Sequence, residues 1–320
     1  GVIFNYPLLK KKLEKKGHTF RSTGDTEVII RSYMEYGSEC VKHLDGVFAF
    51  CIYDIEKKNI FLARDRIGIK PLYYLKENDQ VYFSSHMKGI TKNMRTKEID
   101  PVALNYQFTI HSVVPAPHTI IKNVKKLDPG CTITITKTGV LSKKRYFNIN
   151  DIQLSDYTSN EINENISSLL SSAIKKRINI ADVPVGILLS GGLDSSLITA
   201  ISKEYKDKIN TYSIGFETIN NEEGNEFYYS DMVARSFETV HKKYKVSDID
   251  LLKNLDDVIL DMSEPMFSQD SSAFYLLSRN VSNSTKVVMS GQGADEVFGG
   301  YFWYKKIMDE KNLDAIDTLS

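Results

Sequence analysis

The chain has 320 residues, 42% hydrophobic, 11% aromatic and 26% charged, the composition of a globular protein long enough for two domains, since single cores stop growing near about 250 residues. Its 41 basic residues cancel its 41 acidic ones, so net charge points neither to nucleic acid nor to an anionic membrane surface, and no apolar run approaches the ~20 residues that span a bilayer. Cys40, Cys51 and Cys131 are widely spaced with no C-x-x-C pair, which argues against a disulfide framework and a zinc site; reduced thiols in a cytoplasmic protein are expected. No charged-then-apolar leader follows Gly1, so no signal peptide is expected.

In chain order, the first half opens with helical patterns at Tyr6 to Lys16 and Thr26 to Gly37. From Gly46 to Ser85 it becomes short runs rich in Val, Ile, Phe and Tyr ("GVFAFCIYD", "NIFLARD", "KPLYYLK", "QVYFSS") separated by "EKK" and "END". Runs of this kind read as antiparallel strands, and "CTITIT" before "KTG" adds another. The polar stretch Asn148 to Ser159 reads as a structureless linker, so domains are expected at residues 1–150 and 151–320.

The second half has a different pattern. Ile162, Ile166, Leu169, Leu170, Ala173 and Ile174 recur at helical spacing behind Ser159, a candidate N-cap. Then come a strand at Val185 to Leu189, a helix from about Leu193, a strand at Thr211 to Phe216, a helix near Glu226 to Phe237, a strand at His241 to Val246, further helices and a strand at Thr285 to Ser290. Alternating strands and helices predict a parallel sheet with right-handed crossovers.

At the end of the first of these strands stands "LLSGGLDSS", Leu188 to Ser196. Ligands of open parallel sheets bind beyond the carboxyl ends of strands, where helix N-termini offer free amides. Gly191 and Gly192 allow a close backbone approach, and Ser190, Ser195 and Ser196 add hydroxyl donors. The turn reads as a phosphate cradle without the P-loop lysine. Asp194 beside phosphates requires an intervening cation, so ATP or its pyrophosphate with Mg2+ is the ligand it suggests. A plain strand-to-helix turn with Asp194 as a helix-start residue is an alternative. A nucleophile elbow around Ser190 is another, although Leu188 stands where that motif needs glycine. The second turn, "SGQGADEVFGGY" (Ser290 to Tyr301), falls short of a dinucleotide fingerprint because Glu296 holds the third glycine position. Beside the first turn it supplies another wall: Ser290 and Gly291 as backbone contacts, Asp295 as a second carboxylate. A glycine-rich loop leading into a capped helix is its simpler reading.

With both turns in view, "DVPVGILLSGGLDSSLI" resembles the pyrophosphate loop of the glutamine-dependent asparagine synthetase family, and "SGQGADEVFGGY" resembles that family's second ATP loop. "GVIFNY", "TGDTEVI", "LDGVFAF", "LARDRIGIKPLYY" and "PAPHTI" resemble its N-terminal-nucleophile glutaminase domain. The resemblance implies an α+β glutaminase domain of stacked antiparallel sheets, then an α/β parallel-sheet ATP pyrophosphatase (PP-loop) domain. It further implies adenylation of a carboxylate and amidation with ammonia from glutamine through an internal channel. It assigns Ser190 to Ser196 to pyrophosphate, Asp194 and Asp295 to Mg2+, Leu189, Ile214, Ser290 and Gly291 to the nucleotide, and Asp25 with Gly1 to glutamine. Arg64 is expected to be a structural partner of Asp65 rather than a catalytic group. Small-molecule substrates are implied, a homodimer is compatible, and no nucleic acid or membrane partner is.

The chain departs from that pattern in several places. The family's nucleophile is a cysteine at the start of the mature chain, whereas this chain starts at Gly1, with Val2 in place of a glutamate; a fragment lacking both ends, without glutaminase activity, is expected. Gln292 replaces an acidic residue found in asparagine-forming members, and an amide orients a substrate but accepts no proton as a base. Asparagine formation is the first reading. Amidation of N-acetylglutaminylglutamine, suggested by "EPMFSQDSSAFYLLSR", and an inactive nucleotide-binding relative are the alternatives. His86 replaces a glutamate common in the family, and no catalytic role is expected of it.

Overall fold

The computed structural model describes residues 1–77, 80–110, 113–152, 155–216, 227–266, 268 and 270–304. They form two compact units, residues 1–156 with 262–266 and residues 157–261 with 267–320. Each is described on its own.

The first unit begins with β1 (Val2–Ile3), α1 (Tyr6–Glu14) and α2 (Asp25–Tyr36), followed by a 3-10 helix at Gly37–His43. Strands β2 (Gly46–Val47), β3 (Ala49–Asp54), β4 (Asn59–Arg64), β5 (Tyr73–Glu77) and β6 (Gln80–Ser84) come next. Helices α3 (Met87–Thr91) and α4 (Pro101–Thr109) then precede β7 (Lys125–Lys126), β8 (Cys131–Ile135) and β9 (Leu141–Arg145). One antiparallel sheet runs β3-β4-β8-β9, a second runs β6-β5-β7, and β1 pairs with β2. Alternation along β4 builds two cores from one strand. Phe61 and Ala63 join Leu9, Leu13, Val28 and Tyr33 of the helices, while Leu62 joins Leu72, Leu127, Cys131 and Ile133.

The turn after β4 is held by its own side chains. Asp65, 2% exposed, accepts from the amides of Phe48, Ile67, Gly68, Ile69 and Lys70 at 2.7–3.2 Å. Arg64 donates to the carbonyls of Lys70, Gly68 and Leu127. The structural role expected of Arg64 therefore stands, but it is exerted on backbone carbonyls rather than on the Asp65 carboxylate. The first unit also includes residues 262–266 from the later part of the sequence. There Glu264 receives hydrogen bonds from Tyr73 (2.9 Å) and Lys126 (2.6 Å), and Gln107 donates to the Pro265 carbonyl (2.8 Å).

The second unit opens with α5 (Ser159–Ile180) and continues through β10 (Val185–Leu188), α6 (Leu193–Lys203), β11 (Asn210–Phe216), α7 (Phe227–Ser236) and β12 (Val240–Val246). After α8 (Asp248–Lys253), α9 (Leu255–Asp261) and α10 (Asp270–Val281) come β13 (Val287–Met289) and α11 (Ala294–Phe298). The sheet is parallel, in order β12-β11-β10-β13. Helices cover both faces, as neighbouring residues of β10 show. Ile187 packs with Ile174 and Ile178 of α5, whereas Leu188 faces Tyr212, Leu277 and Val281. Burial of each such side chain contributes roughly 1.5–3 kcal/mol. Among the described residues no helix is long and apolar enough to cross a membrane.

Several local readings need correction. The α5 N-cap is Thr158, not Ser159, because Glu161 returns its carboxylate to Thr158 in a capping box. The linker holds a 3-10 turn, Ile149–Asp151, capped by Asn148. Strand β5 starts at Tyr73, beyond Pro71, which has no N–H to give a ladder. The edge strand β9 was hidden by its charges, which suit an exposed edge. Glu226, where the α7 reading began, lies outside the described residues.

Two outcomes follow from the first unit. Asp65→Ala leaves five amides of a buried turn without their acceptor, and a loss of at least roughly 3 kcal/mol is expected in urea denaturation. At the start of α2, desolvation alone would raise the Glu27 carboxyl, but hydrogen bonds from Ser22, the Arg21 amide and Arg31 outweigh it and hold it at about 2. A carboxyl depressed in the folded state stabilises above its unfolded value, near 4.3, and that contribution is lost as pH falls toward 2. The melting temperature should therefore fall between about pH 5 and pH 2, less steeply in Glu27→Gln.

Candidate functional site

Strand β10 lies between β11 and β13, and the chain crosses over on opposite sides to reach them. This is a topological switch point, and the crevice at its carboxyl edge is where ligands of such sheets bind. The Ser-Gly-Gly turn leaves β10 there. Leu189 donates its amide to the Tyr212 carbonyl at 2.8 Å, and Gly191 takes φ +92°. A side chain at Gly191 would lie 2.5 Å from the backbone of Tyr229 and Ser230, so only glycine lets the turn close onto α7.

Within the turn, Ser195 Oγ receives the Gly191 amide (3.2 Å) and meets Ser190 Oγ (3.1 Å), Ser190 Oγ receives the Gly192 amide (3.2 Å), and Ser196 Oγ donates to the Gly192 carbonyl (2.7 Å). Gly192 is the N-cap of α6 and supplies no side-chain cap. The first amides of an eleven-residue helix are thus left for a ligand, at the positive end of its dipole.

The second turn approaches closely. A Cβ on Gly291 would stand 2.7 Å from that of Asp194, and Gly293, at φ +93°, starts α11. Both turns open onto one cavity of about 620 Å3. Leu189, Ser190, Gly192, Asp194, Ser195, Ile214, Ser290, Gly291, Gln292 and Asp295 all line it; Gly191 and Ser196 belong to the turn but not to the lining. Sequence reading missed Ser213, Phe216, Phe227, Ser230, Asp270 and Phe274, which also line the cavity and reach it from β11, α7 and α10 with no linear motif to mark them. It also missed His241. That imidazole, mostly buried, sits 2.9 Å from Thr211 Oγ1 and 3.4 Å from Ser213 Oγ, supporting the floor. Burial pushes its pKa down against the opposing pull of Asp231, which favours the neutral ring.

Among the described residues no Lys, Arg or His lines this cavity. Three carboxylates do, Asp194, Asp270 and Asp295, none with an ion pair among the described residues. An anionic ligand therefore needs backbone amides and a cation of its own. Among the described residues no group of three or more His, Cys, Asp or Glu is placed to hold a metal unaided. Two carboxylates on facing turns nonetheless fit Mg2+, which is usually bound by one or two carboxylates together with substrate phosphates.

In the first unit, Asp25 begins α2 and its Oδ2 accepts the Ile3 amide at 2.9 Å, near Gly1 at the edge of β1. His86 is the N-cap of α3. All three thiols are free; burial pushes Cys40 up to about 12 and Cys51 to about 11, and raises Cys131 as well. Protonated buried thiols are inert.

Known proteins agree with this two-unit arrangement. Residues 1–147 match the glutamine amidotransferase domain family and residues 165–317 match the asparagine synthase family. The chain thus joins a domain of the glutamine amidotransferase family to one of the asparagine synthase family. It belongs to the glutamine-dependent asparagine synthetase family. It is 34% identical to asparagine synthetase [glutamine-hydrolyzing] 1 of Bacillus subtilis (strain 168) over 99% of this chain and 49% of that protein. It is 36% identical to a putative asparagine synthetase [glutamine-hydrolyzing] 2 of Methanocaldococcus jannaschii over 94% of this chain and 58% of that protein. The chain spans about half the length of the curated relatives it matches. A solved glutamine-dependent NAD+ synthetase from Acinetobacter baumannii has a TM-score of 0.34 and 11% identity, over 93% of this chain and 73% of that one, a likeness too distant for any argument.

Gly191→Ala forces a methyl group into the α7 backbone, and overpacking of this kind typically costs about 1–3 kcal/mol. The variant should unfold at a lower urea concentration than the wild type, read by equilibrium denaturation.

Proposed function

We propose that this protein transfers AMP from ATP to a carboxylate and then amidates the acyl-adenylate with ammonia released from glutamine, with aspartate as acceptor and asparagine as product. The observation that carries the reading is the meeting of two glycine turns at one carboxylate-bearing cavity, in a chain whose halves match an amidotransferase and an asparagine synthase family. The acceptor oxygen attacks the α-phosphorus, the bond to the β-phosphate breaks, and pyrophosphate leaves. Ammonia then attacks the acyl carbon, loses a proton and expels AMP.

In this reading the α6 amides and the hydroxyls of Ser190, Ser195 and Ser196 bind the departing pyrophosphate, the place where negative charge develops. Gly191 and Gly192 let it approach. Leu189, Ile214, Ser290 and Gly291 hold the nucleotide. Asp194 and Asp295 would hold Mg2+, which supplies charge neutralisation for the phosphates. Gln292 orients the acceptor by hydrogen bonding and takes no proton. Asp25, with Gly1 beside it, receives the ammonium of glutamine. The domains divide near residue 150, the setting is cytoplasmic, the protein pairs as a homodimer, and its partners are small molecules. Gln292 also favours a second reading, an acceptor such as N-acetylglutaminylglutamine, because its amide can pair with the amide groups such an acceptor carries beside its carboxylate.

ATP–pyrophosphate exchange, with Mg2+ and either acceptor, tests the proposal because exchange requires a reversibly formed acyl-adenylate. Exchange with aspartate is expected. Asp194→Asn and Asp295→Asn should each lower its rate at least about a hundredfold, as loss of transition-state charge stabilisation does. Folded protein that binds MgATP yet exchanges with neither acceptor sinks the proposal.

A further inference from the structure

The cavity is lined from several elements, and their polar groups are not equivalent. The β10–α6 turn supplies hydroxyls, amides and Asp194, the β13–α11 turn supplies Gln292 and Asp295, and β11 and α7 add the hydroxyls of Ser213 and Ser230. A further wall is the first half of α10. There Ala273, Phe274 and Leu277 are apolar, and Asp270 is the one acidic side chain in the helix's first turn. A ligand resting on this wall meets hydrocarbon and one carboxylate.

That carboxylate is positioned and uncommitted. Asp270 is the first residue of a twelve-residue helix whose far end is packed into the core through Leu277 and Val281. Ser268 donates to its Oδ2 at 2.8 Å, fixing the side chain. Among the described residues Oδ1 has no hydrogen-bond partner and the side chain has no ion pair. A phosphate would be repelled at this position, and Asp194 and Asp295 are those on the two glycine turns. The chemical complement of a carboxylate with a free oxygen beside an apolar wall is a cationic donor, and a charge-assisted hydrogen bond is roughly twice as strong as a neutral one.

We infer that Asp270 receives the α-ammonium group of the acceptor, so that the site selects free amino acids and rejects acceptors whose amine is acylated. The inference rests on the amide-forming reading and narrows it. An N-acylated dipeptide brings no cation to Asp270 and forgoes the charge-assisted hydrogen bond that a free amino acid makes there. Asp270 acts as a specificity residue. It neither exchanges a proton with the reacting atoms nor holds the metal.

The test compares aspartate with N-acetylaspartate in ATP–pyrophosphate exchange, in the wild-type protein and in Asp270→Asn, which keeps size and the Ser268 contact. The wild type should prefer aspartate in kcat/KM by at least about tenfold, since the blocked acceptor cannot make the charge-assisted hydrogen bond to Asp270. Asp270→Asn should raise the KM for aspartate at least about tenfold and shrink the preference, with the KM for MgATP within about twofold of wild type. An unchanged aspartate KM, or a rise in the MgATP KM instead, would overturn the inference. So would a wild type that accepts N-acetylaspartate or N-acetylglutaminylglutamine as readily as aspartate, although amide formation would then survive. Absence of exchange with every acceptor, in folded protein that binds MgATP, overturns the amide-forming reading and this inference together. If the variant fails to fold, the two acceptors offered to the wild type still decide.

Discussion

Parallel pairing of β10 with β11 on one side and β13 on the other determines where the second unit can act. In a parallel arrangement all three strands end on the same edge, so the turns that follow β10 and β13 emerge side by side. The crossovers leave in opposite directions and open a crevice between them. Everything at the site depends on that register: the Ser-Gly-Gly turn, the closely apposed Gly291, and the free N-terminus of α6. The glycines answer the resulting crowding, since a methyl group at 191 or 291 would meet α7 or Asp194.

The electrostatics of the cavity are the second organising fact. Among the described residues the lining holds three carboxylates and no basic side chain. Positive potential comes from the dipole of α6 and its uncapped amides. Such a lining gains affinity only for a ligand that brings a divalent cation with its phosphates, and for a second ligand that carries its own positive charge.

The first unit shows how polar groups can set a fold as firmly as apolar ones. Asp65 gathers five amides and Arg64 three carbonyls around one turn, so the buried backbone after β4 is satisfied by two adjacent side chains. Glu264 does similar work for residues 262–266, where Lys126 and Tyr73 meet its carboxylate. Both clusters join positions that are apart along the chain, and for Glu264 the separation from Tyr73 is 191 residues.

Local patterns in the sequence determined a good deal. Period-two runs marked β3, β4, β6 and β8, helical spacing marked α5, and glycine beside serine and aspartate at the end of an apolar strand marked the phosphate-type turn. These signals depend on residues adjacent in the chain and survive without knowledge of the fold. Edge strand β9, with its lysines, and the capping of α5 by Thr158 rather than Ser159 were less legible, because solvent exposure and one hydrogen bond decide them. The walls of the cavity were decided by tertiary structure alone. Asp270, Ser213 and His241 converge from α10, β11 and β12 through sheet order and helix packing, and no spacing in the chain encodes such a meeting. The sequence by itself determined which turns could bind an anion. Only the folded sheet decided that those turns share one cavity and which side chains line it beside them.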